Sequence, residues 1–348
     1  MTRICFAYYW ATSGGVERVF LNRAEALLSR DPELAIDLYF YQDCGGVALV
    51  QRYARARELS DRLRVVERFD PSLYRAVFVV DTPQLPAGFP AVQSKMIMEC
   101  HTPYPENRTY LQEWQSRLDI LLVPSHAFLE VIEAECPGLR GKVRVIRNFV
   151  PQLPAIDSAL SLPDWCATLF LYFSRVDEVK NFSEFVEGLA LARPQLHREP
   201  LAIVSGQILG GYPYLELIEK AGLRGLVVVL PPVPFESSHS LMQMLRQRKA
   251  VFVSPSKGES FGLSAAEAMT AGLPVILSDI PPHRALVSNC SKFLYPLGNA
   301  RELAGRMAAA EEHYEEWSAE CRGWARAFSE AVFWEDWNQV FGRDFERR

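Results

Sequence analysis

The chain has 348 residues, 49% of them apolar and 23% charged, with a net charge of −5. That length suits two α/β domains better than one core, and the negative balance supplies no overall field to recruit nucleic acid. No apolar run reaches the roughly 18–20 residues that a bilayer crossing needs. Residues 2–9 lead straight into a strand where a secretory leader would stand, so a cytoplasmic chain is expected.

Short apolar runs alternate with helical patterns, the signature of βαβ units and a parallel sheet. The first run, 4–9, meets Gly14-Gly15 and then a helix with Val16, Val19, Phe20, Ala24, Leu27 and Leu28 at helical spacing. Further strands are predicted over 36–41, 76–80, 95–100, 120–123 and 143–146. Each is dense in apolar or β-branched residues, as strands covered on both faces are. Residues 51–75 hold seven arginines interleaved with Glu58, Asp61, Glu67 and Asp70. This is read as a solvated mixed-charge face, with contact to anionic lipid or an anionic acceptor as the alternative.

Near residue 150 both periods fail: Asn148-Phe149-Val150-Pro151-Gln152-Leu153-Pro154 and Ser161-Leu162-Pro163 are proline-spaced. The domain boundary is placed there. Strands are then predicted over 168–173, 201–204, 226–230, 250–253 and 274–277. The stretch 311–345 reads as helical and carries Trp317, Trp324, Trp334 and Trp337. The expected fold is α/β, with a domain at 1–150, a second at 151–330, and a closing helix at 331–348 that returns to the first. Seven scattered cysteines (Cys5, Cys44, Cys100, Cys136, Cys166, Cys290, Cys321) form no C-x-x-C pair, which argues against a disulfide framework or zinc knuckle.

Four segments could carry chemistry. The strongest runs from Ser254 to Met269, where a strand leads through Gly258, Glu259, Phe261 and Gly262 into a helix. Such a turn presents free backbone N–H groups and a positive helix end to an anion, and Glu259 and Glu267 bracket it. Ser264-Ala265-Ala266-Glu267 also matches a capping box, in which Glu267 does no more than bond a backbone N–H. The second is Phe173 to Asn181 at a strand's carboxyl end, where ligands bind in such sheets. Arg175 and Lys180 could neutralise a diphosphate there; a solvated loop paired through Asp177 and Glu178 is the plainer reading. Third, Gly14-Gly15 allows close backbone approach but is no G-x-G-x-x-G fingerprint. Fourth, His101 follows a strand, though a lone histidine is more often structural. No D-x-D pair is present, and no arrangement suggests a Ser/His/Asp nucleophile.

Together these segments resemble the retaining glycosyltransferase family 4 (glycosyl transferases group 1), of GT-B architecture. The resemblance rests on Glu259 to Glu267 with Phe261-Gly262-Leu263 inside, Ser174-Arg175 through Lys180-Asn181, and Gly14-Gly15-Val16-Glu17-Arg18. It implies two Rossmann-like domains facing across an interdomain cleft. Glu259 would hold donor-sugar hydroxyls, Phe261, Gly262 and Leu263 would offer backbone N–H groups, and Glu267 would take the ribose. Arg175 and Lys180 would stabilise the leaving diphosphate. Gly14 and Gly15 would face phosphates and acceptor, with His101 beside the donor sugar. Two departures stand out: Ser260 replaces the family's glycine, and Ser205-Gly206-Gln207 replaces a glycine-rich turn.

The resemblance implies a nucleotide-diphosphate sugar as co-substrate, of GDP-mannose or UDP-hexose type, with no other cofactor and no metal. The acceptor would be a glycan, glycolipid or small molecule, in bacterial surface polysaccharide or lipopolysaccharide synthesis. Peripheral contact with the inner face of the membrane would follow, and no nucleic-acid partner. Rival readings are a natural-product glycosyltransferase, a hydrolysing nucleotide-sugar 2-epimerase, and a non-catalytic scaffold of the same fold.

Overall fold

The computed structural model describes residues 2–90, 96–152 and 166–342. The apolar runs of the first half become seven strands: β1 (Thr2–Ala11), β2 (Leu34–Asp43), β3 (Leu63–Val66), β4 (Ala76–Val80), β5 (Met96–Glu99), β6 (Leu121–Val123) and β7 (Val143–Val145). They pair in the order β3-β2-β1-β4-β5-β6-β7, every pairing parallel. Side chains alternate across a strand, so Ile4 and Phe6 pack on one face with Phe20, Phe78 and Trp337. Cys5 and Ala7 pack on the other with Val77, Val79, Met98 and Ile132. Both faces are covered, which is why the runs read as continuous rather than alternating.

The second half repeats the plan with β8 (Thr168–Phe173), β9 (Pro200–Ser205), β10 (Val227–Leu230), β11 (Val251–Ser254), β12 (Val275–Ser278) and β13 (Leu294–Tyr295). Its six parallel strands run in the order β10-β9-β8-β11-β12-β13. In each sheet the chain order reverses beside the first strand, β1 or β8, and the carboxyl ends there are the ligand-binding position of open α/β sheets.

The chain divides into one unit of Met1–Pro151, Pro234–Glu236 and Glu330–Arg348, and another of Gln152–Val233 and Ser237–Ser329. In the first, the helix Glu330–Phe341 buries Phe333, Trp334 and Trp337 in the core. Asp336 receives Arg147 through Nε at 2.7 Å, Nη2 at 2.7 Å and the backbone N at 2.9 Å, and the Arg30 guanidinium lies 3.7 Å over the Trp334 ring. Trp317 and Trp324 instead pack on Phe293 in the second unit.

Two strands escape the sequence pattern. β3 lies inside the arginine-rich segment, and β13 is two residues long. Three of the seven arginines are taken by groups of the same unit: Arg57 lies 3.5 Å from Glu25, Arg62 donates to the Asp31 carbonyl at 2.9 Å, and Arg64 to that of Asp61 at 3.0 Å. Lys95, Leu153, Pro154, Ser161, Leu162, Pro163 and residues 343–348, which the predicted elements and linker include, lie outside the described residues. Among the described residues no two cysteines are joined in a disulfide. Among the described residues no helix is long and apolar enough to cross a membrane.

Candidate functional site

In the second unit, β8 and β9 stay together past their ends: Ser174 N donates to Ser205 O at 3.0 Å and Val176 N to Gln207 O at 2.9 Å. A Cβ at Gly206 would stand 1.9 Å from the Ser174 carbonyl oxygen. The single glycine of the altered turn is thus the one that lets the Arg175 backbone pass. Beyond it, Arg175 Nη2 lies 3.0 Å from Asp177 Oδ2, and Asp177 Oδ1 accepts from Lys180 N at 2.6 Å. The Tyr172 hydroxyl sits 2.8 Å from Arg175 O and 3.1 Å from Lys180 O, tying the turn to the sheet. Asn181, at φ +57°, then starts the helix Phe182–Ala192.

The loop after β11 leans on this turn, with Lys257 N donating to Val179 O at 2.9 Å. It delivers Glu259 to Lys180, whose Nζ donates to Oε1 at 2.6 Å; the two side chains are 15% (Lys180) and 18% (Glu259) exposed. Burial pushes the Glu259 carboxyl up, but the Lys180 charge, joined in acid by that of protonated His283 and by hydrogen bonds from Lys180 and Ser256, outweighs it and holds it below the ordinary carboxylate value. The helix that follows, Leu263–Ala271, has Gly262 at its N-cap with φ +92° and no side-chain cap. The helix is therefore capped at Gly262, two residues before the Ser264 cap that the capping-box pattern implies. Gly262 can take this left-handed conformation where a β-carbon would be strained, and it has no side chain of its own to accept from the first N–H groups. Phe261 is buried, 6.0 Å from the Phe328 ring, and Glu267 is buried one turn into the helix.

His283, which the sequence reading passed over, is fully buried beside this loop: its Cδ2 would lie 3.4 Å from a Cβ on Gly262. Nδ1 is 3.0 Å from Ser278 O, and Nε2 is buried with no partner among the described residues. Burial drives its pKa down to about 4, Lys180 adding to the shift and Glu259 opposing it, so the ring is neutral at pH 7. The available signal was its position just past the carboxyl end of β12.

In the first unit, Gly14 caps the helix Gly15–Arg30. Glu17, buried, reaches back so that Oε1 accepts from Thr12 N and from Thr12 Oγ1, the latter at 2.9 Å. A Cβ at Gly14 would stand 2.8 Å from Thr12 Oγ1, whereas one at Gly15 would meet nothing within 4 Å. Gly15 is thus not demanded by packing. His101 is buried after β5; its backbone N donates to Asp81 Oδ2 at 3.0 Å and Nε2 lies 2.9 Å from Glu99 Oε2. Gly14 and His101 both follow strand carboxyl ends, those of β1 and β5. Of the expected residues, the second unit joins Lys180 directly to Glu259, while Arg175 is held by Asp177.

Residues 167–323 match the model of a family described as Glycosyl transferases group 1. The GDP-mannose:cellobiosyl-diphosphopolyprenol alpha-mannosyltransferase of Xanthomonas oryzae pv. oryzae is 33% identical over 151 residues, which cover 42% of this chain and 37% of that protein. The lipopolysaccharide core biosynthesis mannosyltransferase LpsB of Rhizobium meliloti is 30% identical over 127 residues, 34% of each. The matched stretches thus span little more than a third of these relatives' length. The crystal structure of Anabaena HepE in complex with UDP and glucose is similar over 98% of this chain and 99% of its own, with a TM-score of 0.75 and 16% identity. That likeness shows the fold: two Rossmann-like domains of the GT-B type.

Proposed function

We propose that this protein is a retaining hexosyltransferase that moves a sugar from a nucleotide diphosphate to a hydroxyl of a glycan or glycolipid. The observation that carries the proposal is the Lys180–Glu259 pair beside a helix start capped by Gly262, in the half that matches the transferase family model.

The difficulty of the reaction is charge growing on a diphosphate as the anomeric C–O bond breaks. Arg175, Lys180 and the N–H groups at Gly262 and Leu263 would meet that charge as it develops, the largest kind of contribution a site can make. Phe261, through its backbone, and Glu259 would hold the sugar, and Glu267 the ribose. In the first unit Gly14 and Gly15 would face phosphate and acceptor, and His101 the sugar hydroxyls. With the diphosphate neutralised by side chains and backbone, the proposal invokes no metal and no cofactor beyond the co-substrate. Retention is assigned to front-side attack, with the leaving phosphate taking the acceptor's proton. A GDP-mannose or UDP-hexose donor is favoured by the relatives' and neighbour's names, and a lipid-linked acceptor reached at a membrane surface by the first relative's.

A thermal-shift series with UDP, GDP, UDP-glucose and GDP-mannose tests this. A ligand at about 100 times its Kd stabilises the folded state by about 2.7 kcal/mol. NMR of the transferred sugar should then show the donor's anomeric configuration kept. Inversion would refute the mechanism. Free sugar released rapidly without acceptor would transfer the assignment to a hydrolysing epimerase.

A further inference from the structure

The sharpest unexplained arrangement lies in the first unit, behind His101. Glu99 and His101 sit two residues apart and so share a face of the chain at the end of β5. Arg23, from the helix Gly15–Arg30, meets Glu99 through Nη1 at 2.9 and 2.8 Å from the two carboxylate oxygens. The side chains are 1% and 0% exposed. Arg23 Nε and Nη2 are buried with no partner among the described residues. A buried ion pair with unfilled donors is a poor stabilising device, because desolvation is repaid only when every proton finds an acceptor. Its geometry points instead to what the carboxylate does to the histidine.

Burial pushes the Glu99 carboxyl up, but Arg23 and His101 outweigh it and hold it at about 2. Held through both oxygens by the Arg23 guanidinium, it is ionised near neutrality, and an ionised carboxylate can only accept. With Nε2 at 2.9 Å from Oε2, that ring nitrogen must carry the hydrogen. In the neutral ring Nδ1 is then the lone-pair nitrogen, able to accept a hydrogen.

We infer that Glu99, clamped by Arg23, is a positioning residue that fixes His101 as the Nε2–H tautomer, so that Nδ1 takes a hydrogen from a sugar hydroxyl rather than meeting an anionic phosphate oxygen. The choice of a sugar hydroxyl rests on the glycosyl-transfer proposal; the tautomer lock does not.

The test is two-bond ¹H–¹⁵N NMR on histidine-labelled protein at the alkaline plateau of the titration, with His101 assigned by its loss in His101→Asn. The expected wild-type state is Nε2–H; an Nδ1–H or evenly mixed ring overturns the lock without any variant. In the double variant Arg23→Met/Glu99→Gln, which removes both buried charges together, the tautomers should mix. A folded double variant that keeps the wild-type tautomer removes Glu99 from the role. Addition of UDP-glucose or GDP-mannose, but not UDP or GDP, should move Nδ1 if the hydroxyl is the donor's, and cellobiose should move it if the acceptor's. An equal shift with the bare diphosphates, or none from any of these probes while calorimetry shows the nucleotide sugars bound, overturns the hydroxyl assignment. If no nucleotide binds at all, the transferase proposal falls while the tautomer result stands.

Discussion

Lys180→Met separates what the Lys180–Glu259 pair does for folding from what it does for chemistry. The two side chains are less than a fifth exposed and joined at 2.6 Å. Removing the ammonium strands a largely buried carboxylate, at a cost of about 1–3 kcal/mol at pH 7. The pH dependence has a definite sign. In the wild type Glu259 is held below its ordinary value, so the pair's stabilisation is present above the unfolded carboxylate value of roughly 4.3 and lost as pH falls through the folded one. In the variant the attraction is gone and burial remains, which raises that carboxyl. The deficit against wild type should therefore be largest near neutrality and shrink toward acid. Adding Glu259→Gln should recover most of the stability at pH 7 and none of the activity. Both variants should transfer sugar about two to three decades more slowly, as expected for losing one group that stabilises developing charge. Because the chain has two units, urea titration should be followed by hydrogen exchange at β8 and β11, which report the second unit alone. A deficit equal at pH 7 and pH 4, or a double variant no more stable than the single, would refute the electrostatic argument. Undiminished turnover would remove Lys180 from the site.

Two further perturbations probe the same unit. Gly206→Ala forces a Cβ to within 1.9 Å of Ser174 O, so the backbone carrying Arg175 must move; a loss of about 1–3 kcal/mol, with faster exchange at the Ser174 and Val176 amides, is expected, and wild-type exchange there would contradict it. His283 is held near a pKa of about 4 by burial, below its unfolded value of about 6.5. The unfolded chain thus binds its proton first, and the second unit should lose stability as pH falls between those values. His283→Gln should flatten that slope, and an unchanged slope would show the ring is not buried neutral.

The fold was legible because most strands are covered on both faces, which writes them as dense apolar runs. Ala76–Val80 and Thr168–Phe173 were predicted with their observed bounds. β3 was hidden for the opposite reason: at the sheet's edge it keeps Leu63 buried but carries Arg64 to solvent, and its charged flanks mask a four-residue run. Glycine chemistry was legible in kind and not in position. The capping-box pattern at Ser264 drew the helix start two residues late. Gly262 can cap in the left-handed region with no side chain involved, a solution that leaves no polar residue to notice.

What sequence could not supply was pairing. Lys180 and Glu259 are 79 residues apart and were singled out separately, as a phosphate ligand and a sugar ligand; only the parallel order of β8 and β11 sets their loops side by side. Arg23 and Glu99 gave no signal at all, because a charged residue on a helix or at a strand end reads as surface until the burial is known. Yet these are the positions where local preference is overruled: an arginine and a glutamate are buried together where apolar residues would pack at lower cost. Sequences are locally consistent with their fold except where a site demands otherwise. The same burial that hid Arg23 and Glu99 from pattern reading is therefore the physical ground for assigning them to His101 rather than to the core.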